Sequence, residues 1–183
     1  MKRILILGAG DHAKVVVETI LLLYPNCEIY FLDDLYNEQS NNLIDKKFNQ
    51  IPLIGSLSMA LNEKMLIKYK NAFVAVGVSK TRVSWIKRLE SIGYSLPSFV
   101  HKTAWLSPSA SMGKGNILLA NSVVQTEVKL GDGVIVNTSS SVDHHSIIKE
   151  GSHICPGVNM AGNVSVGKRS LIGIGSKVIQ NIS

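Results

Sequence analysis

Apolar and polar residues in the first half of the chain alternate between strand-like runs and helical spacing. Three apolar runs have the length of buried strands and end at glycine or aspartate: 3–7, 28–32 and 72–76. Helical spacing predicts three helices around these runs: 12–23, 56–64 and 79–92. Ser56 is the candidate N-cap of the second helix, and Ser79 or Thr81 that of the third, which Gly93 ends. The alternation predicts a small domain over residues 1–97 with a parallel sheet and covering helices, about half of a dinucleotide-binding fold.

From Val100 onward the apolar period changes to six. Every sixth residue is apolar for fourteen successive positions, from Val100 to Val178. The residue four positions later is small or β-branched in nearly every repeat, as at Ser122 and Ser140. With 45% of residues apolar, such a series arises by chance in about one case in 10⁵, which argues against an antiparallel β-sandwich with coincidental spacing. Period six predicts a parallel β-helix over residues 98–183, in which three hexads close one coil of 18 residues.

The hexads remain regular up to the last residue. Repeats from Ile172 to Ser183 match those in the middle of the series, whereas a solenoid needs a capped end. We therefore expect further coils and a cap beyond Ser183, or another element that covers this end.

Composition and charge narrow the functional classes. Of the 183 residues, 17% are charged, and no apolar stretch approaches the roughly 18–20 residues of a membrane span. Cys27 and Cys155 are too few for a disulfide framework, so we expect a reducing, cytoplasmic setting. The net charge of +6 is spread over both halves without a basic run, which favours anionic small molecules over nucleic acid as partners.

The first predicted strand leads into a glycine-rich turn. Gly8-Ala9-Gly10 separates this strand from the following helix, the context of a phosphate-binding turn in a Rossmann-like domain. Asp33 follows the second strand, where an acidic group can accept a hydrogen bond from a ribose hydroxyl. A tight turn without a ligand is one alternative. NAD binding by a dehydrogenase is another, although the missing second half of that fold and the repeats argue against it.

The histidines of the repeat region are the candidates for acid–base chemistry. His144 is the third residue of its hexad, a position that faces outward, and imidazole can accept a proton near neutral pH. A solvated corner histidine is the alternative. His144, His145 and His153 also suggest a metal site. Adjacent histidines on an extended chain point to opposite sides, so we predict that no metal is bound there.

Three segments together resemble a known family: 8–13, 142–145 (Val-Asp-His-His) and 161–163 (Ala-Gly-Asn). They are similar to the sialic-acid-biosynthesis (NeuD) and bacillosamine-biosynthesis (PglD) type of sugar acetyltransferase, and the resemblance covers essentially the whole chain. It implies a homotrimer of left-handed β-helices that transfers acetyl from acetyl-CoA to a sugar, often the 4-amine of a UDP-linked amino sugar. Some members are assigned as sialic acid O-acetyltransferases.

The same resemblance implies roles for individual residues. His144 corresponds to the catalytic base, with Asp143 as a candidate to orient it. His145 stands where amino-sugar relatives usually carry a carboxylate, so a more distant acid is a second candidate for this role, and His145 itself is an alternative base. Substrate-side residues are expected at six positions: Gly10, His12, Asp33, Asp34, Gly77 and His153. Coenzyme contacts are expected at three, the second of which would hold the oxyanion with its N–H: Asn137, Gly162 and Ile174.

The function that this resemblance implies is direct N-acetylation of a UDP-linked 4-amino sugar in bacterial surface glycan or glycoprotein biosynthesis. Two alternatives stay open. One is O-acetylation of sialic acid, and the other is a non-catalytic trimeric partner of an enzyme of sugar biosynthesis. The residues leave the acceptor sugar unspecified.

Overall fold

The computed structural model describes residues 1–36 and 51–183, which form two compact units, Met1–Pro97 and Ser98–Ser183. No helix among these described residues is both long enough and apolar enough to cross a lipid bilayer.

The first unit contains a three-stranded parallel sheet in the order β2-β1-β3. The strands match the predicted apolar runs closely: β1 (Arg3–Leu7), β2 (Glu28–Leu32) and β3 (Ala72–Val74). Three α-helices and one 3₁₀ helix accompany them: α1 (Asp11–Leu23), the 3₁₀ helix (Leu57–Leu61), α2 (Glu63–Lys68) and α3 (Ser79–Ser91). Leu7 pairs with Leu32 on one side and with Val74 on the other, so all three strands end at one edge of the sheet. The residues that follow these strands are therefore brought together there.

The helix predicted over residues 56–64 is wrong. The structure has the 3₁₀ helix first and then α2, for which Asn62 is the N-cap. The Ser56 hydroxyl lies 3.0 Å from that of Ser58 and caps no backbone N–H, whereas the Asn62 carboxamide accepts from the Lys64 N–H at 2.9 Å. The Asn62 backbone N–H closes the 3₁₀ helix on the Met59 carbonyl, and its side chain opens α2, so the two helices meet at this residue.

The second unit is a parallel β-solenoid, as the sequence predicts. Its fourteen strands have two residues each: β4 (Phe99–Val100), β5 (Trp105–Leu106), β6 (Ser111–Met112), β7 (Ile117–Leu118), β8 (Val123–Val124), β9 (Lys129–Leu130), β10 (Ile135–Val136), β11 (Ser141–Val142), β12 (Ile147–Ile148), β13 (His153–Ile154), β14 (Asn159–Met160), β15 (Ser165–Val166), β16 (Leu171–Ile172) and β17 (Lys177–Val178). Every strand ends at a predicted apolar sixth position. The strands form three sheets, in the orders β16-β13-β10-β7-β4, β17-β14-β11-β8-β5 and β15-β12-β9-β6.

Strand pairing in the solenoid fixes the coil length. Val142 pairs in parallel with Val124 and with Met160, each 18 residues away. The antiparallel sandwich is therefore excluded for this unit. The second residue of each strand points into a continuous aliphatic core, and the central members of this core are fully buried. Stacked coils bury the inward side chains of their neighbours. Polar side chains that could bind a ligand or take part in a reaction therefore lie at the corners between strands.

The corners combine buried small residues with left-handed backbone. Glu127, His145 and Asn163 follow one another at intervals of 18 residues and have φ angles of 58°, 60° and 57°. A column of such residues runs along one edge of the solenoid. This conformation is uncommon outside glycine and asparagine. At these three positions the geometry of the turn therefore sets the φ angle, whatever the side chain prefers.

Replacement of the buried Asn116 by alanine is expected to lower the free energy of unfolding by about 1–3 kcal/mol. Its side-chain oxygen accepts from the Val134 N–H at 2.6 Å, and its amide donates to the Gly113 carbonyl at 3.1 Å. Alanine would leave the buried Val134 N–H without its acceptor. Urea unfolding of the two proteins measures the difference. The exposed Asn159 is the control, since its replacement by alanine should change stability by less than about 0.5 kcal/mol.

Candidate active site

His144 and His145 lie at the corner between β11 and β12, and both side chains are exposed. Their Nδ1 atoms are 3.0 Å apart, and their rings stand nearly perpendicular, with an interplanar angle of 86°. The prediction that adjacent histidines point to opposite sides is wrong here. It assumed an extended chain, whereas the backbone turns at His145 with a φ of 60° and brings the two rings together.

The carboxylate nearest in sequence does not contact either ring. Asp143 Oδ1 accepts a hydrogen bond from the His144 backbone N–H at 2.8 Å, so this carboxylate stabilises the turn. The acid at the imidazole pair is Glu127, whose Oε2 lies 3.1 Å from His145 Nε2. Sequence reasoning anticipated a more distant acid but did not name it. The spacing could have identified Glu127, because it precedes His145 by 18 residues, which is the length of one coil.

Gly162 lies directly against the His144 ring, one coil further along. A Cβ atom at this position would stand 2.6 Å from His144 Nε2 and 2.9 Å from Nδ1, so any side chain here would force the His144 ring to move. The Asn163 N–H donates to the His144 carbonyl at 2.9 Å and holds the two coils in this register. Within residues 1–36 and 51–183 the Gly162 N–H makes no hydrogen bond. A ring nitrogen and an available N–H donor are thus neighbours.

Asn137 and His153 form a second pair, at a different corner. Asn137 follows β10 and His153 lies in the adjacent strand β13, and Asn137 Nδ2 is 3.0 Å from His153 Nε2. The Asn137 side-chain oxygen accepts from the Thr138 N–H at 2.7 Å, which orients the amide. Ile174, 80% exposed, lies at the same corner two coils beyond Thr138. This corner joins the sheet of β10 to that of β11, whereas His144 lies where the chain passes from β11 to β12.

In the first unit, the glycine that the backbone requires is Gly8. Its φ is +95°, and an added Cβ would lie 3.0 Å from the Ala75 carbonyl oxygen. Gly10 and Gly77 differ, because apart from their chain neighbours no described residue has an atom within 4 Å of the position that their Cβ atoms would take. The sheet edge is therefore open at these two glycines, while Gly8 fixes the turn.

The acidic residues after β2 hold the neighbouring loops in place. Asp33 accepts from the Ala9 N–H at 2.8 Å through Oδ2 and from the Leu35 N–H at 2.9 Å through Oδ1. Asp34 accepts from the Leu57 N–H at 3.1 Å. Each carboxylate oxygen has a second lone pair, so Asp33 can still accept a hydrogen bond from a ligand hydroxyl. His12, in the first turn of α1, is half-buried at the same edge.

A buried arginine that sequence reasoning missed supports this edge. Arg82, in α3, is 1% exposed and donates to the carbonyls of Val76 and Gly77 at 2.8 and 2.7 Å. Burial lowers the pKa of Arg82 to about 10, so the guanidinium remains charged near neutral pH. The two carbonyls that follow the third strand are thereby held in place, with Gly77 at the open edge.

No group of three or more potential metal-ligating side chains occurs in the described parts of the chain.

Comparison with known proteins agrees with this arrangement. Residues 3–89 match the family model of the PglD N-terminal domain. The acetyltransferase domain of PglB from Neisseria gonorrhoeae FA1090 is 35% identical, with a TM-score of 0.88 over 99% of this chain and 84% of that one. The same domain has been solved in complex with acetyl coenzyme A, at 34% identity and a TM-score of 0.87 over 98% of this chain and 83% of that one.

PerB from Caulobacter crescentus, in complex with CoA and GDP-perosamine, is 28% identical, with a TM-score of 0.85 over 99% of this chain and 82% of that one. WeeI from Acinetobacter baumannii AYE, at 18% identity, shares the fold with a TM-score of 0.71 over 98% of this chain and 90% of that one. The match to the gonococcal domain extends over both units, and the histidine corner and the open sheet edge lie within it. The chain therefore belongs to the PglD- and NeuD-type family of sugar acetyltransferases.

Proposed function

We propose that this acetyltransferase moves acetyl from acetyl-CoA to the amine of a nucleotide-linked sugar, with a UDP-linked 4-amino sugar as the first candidate. The observation that carries the proposal is the contact between the His144 ring and the Gly162 backbone. It places a proton acceptor beside an N–H donor that has no partner among the described residues. An amine that attacks a thioester needs both, one for its proton and one for the oxyanion.

The transfer proceeds in one ternary complex. His144 Nε2 accepts a proton from the sugar amine as its nitrogen forms a bond to the thioester carbonyl carbon. The Gly162 N–H stabilises the negative oxygen of the tetrahedral intermediate. The carbon–sulfur bond then breaks, and the imidazolium returns the proton to the departing thiolate of CoA. Burial raises the pKa of the Cys155 thiol, which makes it a poor nucleophile, so a covalent acetyl-enzyme has no support here.

The open edge of the first unit is the proposed site for the nucleotide. Gly10 and Gly77 leave space above the strand ends, and α1 begins at this edge with its N-terminal N–H groups, which favour phosphate. Asp33 retains lone pairs for a ribose hydroxyl. His12 and Asp34 border the same edge and complete the proposed substrate-side set. PerB binds a GDP-linked amino sugar, which supports a nucleoside diphosphate as the carrier.

The coenzyme would lie along the corner of Asn137, His153 and Ile174. In a single chain this corner is separate from that of His144. A homotrimer resolves the separation, because one protomer's His144 corner can face the Asn137 corner of the next. His153 would then meet the substrate or the His144 of the neighbouring protomer. We therefore include a homotrimer in the proposal, with the reaction in the bacterial cytoplasm, where acetyl-CoA and nucleotide sugars are made.

Thiol release from acetyl-CoA tests this function. The protein would be offered a UDP-4-amino sugar, a GDP-4-amino sugar and sialic acid in separate reactions. We expect turnover with a nucleotide amino sugar, fastest with the UDP form, and none with sialic acid. Turnover with sialic acid alone would overturn N-acetylation in favour of O-acetylation. Turnover with the GDP form alone would correct the nucleotide and keep the reaction.

A further inference from the structure

Three side chains form one continuous series of contacts at the His144 corner. Glu127 Oε2 lies 3.1 Å from His145 Nε2, and His145 Nδ1 lies 3.0 Å from His144 Nδ1. His144 Nε2 is the remaining ring nitrogen of the series, and it lies at the Gly162 backbone. A carboxylate is therefore linked to the outermost nitrogen through two imidazole rings.

Proton counting along this series selects one arrangement for a neutral pair. An ionised carboxylate only accepts hydrogen bonds, so His145 must carry its hydrogen on Nε2. A neutral imidazole has one N–H, which leaves His145 Nδ1 as an acceptor. The contact between the two Nδ1 atoms then requires a hydrogen on His144 Nδ1. By the same rule His144 Nε2 has no hydrogen and carries a lone pair.

We propose that Glu127 acts through His145 as a positioning residue that holds His144 in the tautomer whose Nε2 accepts the substrate proton. The inference rests on the proposed function, in which Nε2 is the base. It also accounts for His145 at the position where the family resemblance leads us to expect a carboxylate. Here His145 occupies that place, and the carboxylate stands one contact further away.

The effect is orientational more than electrostatic. The side chains of His145 and Glu127 are 52% and 59% exposed, so solvent screens the charge of the pair. The tautomer, in contrast, depends on which atoms donate and which accept, and screening does not alter that. Once His144 has taken the proton, both of its nitrogens donate, and His145 Nδ1 still accepts. The series therefore needs no rearrangement during the step.

Glu127→Gln is the variant that tests the series. A carboxamide can donate as well as accept, so it no longer requires a hydrogen on His145 Nε2. We expect kcat to fall roughly 3- to 10-fold, as befits a solvent-exposed pair, with KM values and melting temperature unchanged. Glu150→Gln is the matched control, since Glu150 is a corner glutamate whose carboxylate pairs with Lys168 at 3.3 Å. The control should retain wild-type kcat.

The tautomer itself can be observed without turnover. In protein labelled with ¹⁵N-histidine, nitrogen NMR at about pH 8 distinguishes a ring nitrogen that carries a hydrogen from one that does not. The signals that disappear in His144→Ala are assigned to His144. We expect a bare Nε2 on His144 in the wild type and a gain of the Nε2-protonated form in Glu127→Gln. A wild-type His144 with its hydrogen on Nε2 would overturn the proposal.

A bypass variant provides the rescue. His145→Asp places a carboxylate directly at His144 Nδ1, and aspartate tolerates the left-handed backbone at this corner. We expect Glu127→Gln to have no further effect on kcat in the His145→Asp background, because the new carboxylate no longer depends on Glu127. Equal losses from Glu127→Gln in both backgrounds would overturn the proposal. Loss of activity in His144→Ala with wild-type activity in Glu127→Gln would reject the series but leave the proposed function standing.

Discussion

His144→Ala is expected to lower kcat for acetyl transfer about 10²- to 10⁴-fold, the usual contribution of a positioned general base. The side chain is exposed and lies at a corner, so its truncation removes no core packing, and the melting temperature should stay within a few degrees of wild type. KM for acetyl-CoA should change little, because the imidazole acts on the acceptor. Steady-state thiol release and a thermal unfolding scan measure the two effects.

The control for this prediction is His101→Ala. His101 belongs to the same unit, and its Nδ1 contacts the Thr103 hydroxyl of its own turn at 3.0 Å. It should keep full activity. Undiminished turnover in His144→Ala would remove His144 from the mechanism. If that result were joined by a loss in His145→Ala, the base would be His145.

Gly162→Ala is the second change with a large expected effect, a loss of about 10²- to 10³-fold in kcat. The added methyl group would occupy the space of the His144 ring, with distances of 2.6 Å to Nε2 and 2.9 Å to Nδ1. The ring must therefore move away from the N–H that is proposed to hold the oxyanion. One methyl group therefore disturbs both the His144 base and the Gly162 N–H. Kinetic assays measure the loss, and a crystal structure of the variant would show the displaced ring.

Gly167→Ala is the matched control for the second change. An added Cβ at Gly167 would lie 3.4 Å from the Ser170 hydroxyl, an ordinary contact, and Gly167 follows β15, away from the histidine corner. Activity and stability should stay close to wild type. Full activity in Gly162→Ala would show that neither the ring position nor the N–H at this site matters for transfer.

The solenoid is predictable from sequence because its period is enforced by contacts that repeat. Each inward residue, such as Val142, stacks on the equivalent residue 18 positions away. The repeat length therefore determines both the register of the strands and which side chains are buried. The strands of the first unit are predictable for a similar reason, since each is a short apolar run that is mostly buried in the sheet. The split of the predicted helix at Asn62 was missed because two capping candidates competed, and local pattern does not rank them.

The active-site details were less accessible to sequence. His144 and Gly162 could be paired by coil length, but the approach of the two histidine rings depends on the left-handed backbone at His145. Glu127 contacts His145 for the same reason, since both side chains leave the same column of turns. Arg82 gave no signal, because an arginine in a helical pattern is usually solvated. Its burial follows from the carbonyls that it satisfies.

The most direct test of the central claim is the structure of the product. The protein would be incubated with acetyl-CoA and a UDP-4-amino sugar, and the sugar product analysed by mass spectrometry and NMR. The account predicts the gain of one acetyl group as an amide on the sugar nitrogen, stable to hydroxylamine, with one free thiol released for each amide formed. An ester on a sugar hydroxyl, cleaved by hydroxylamine, would contradict it.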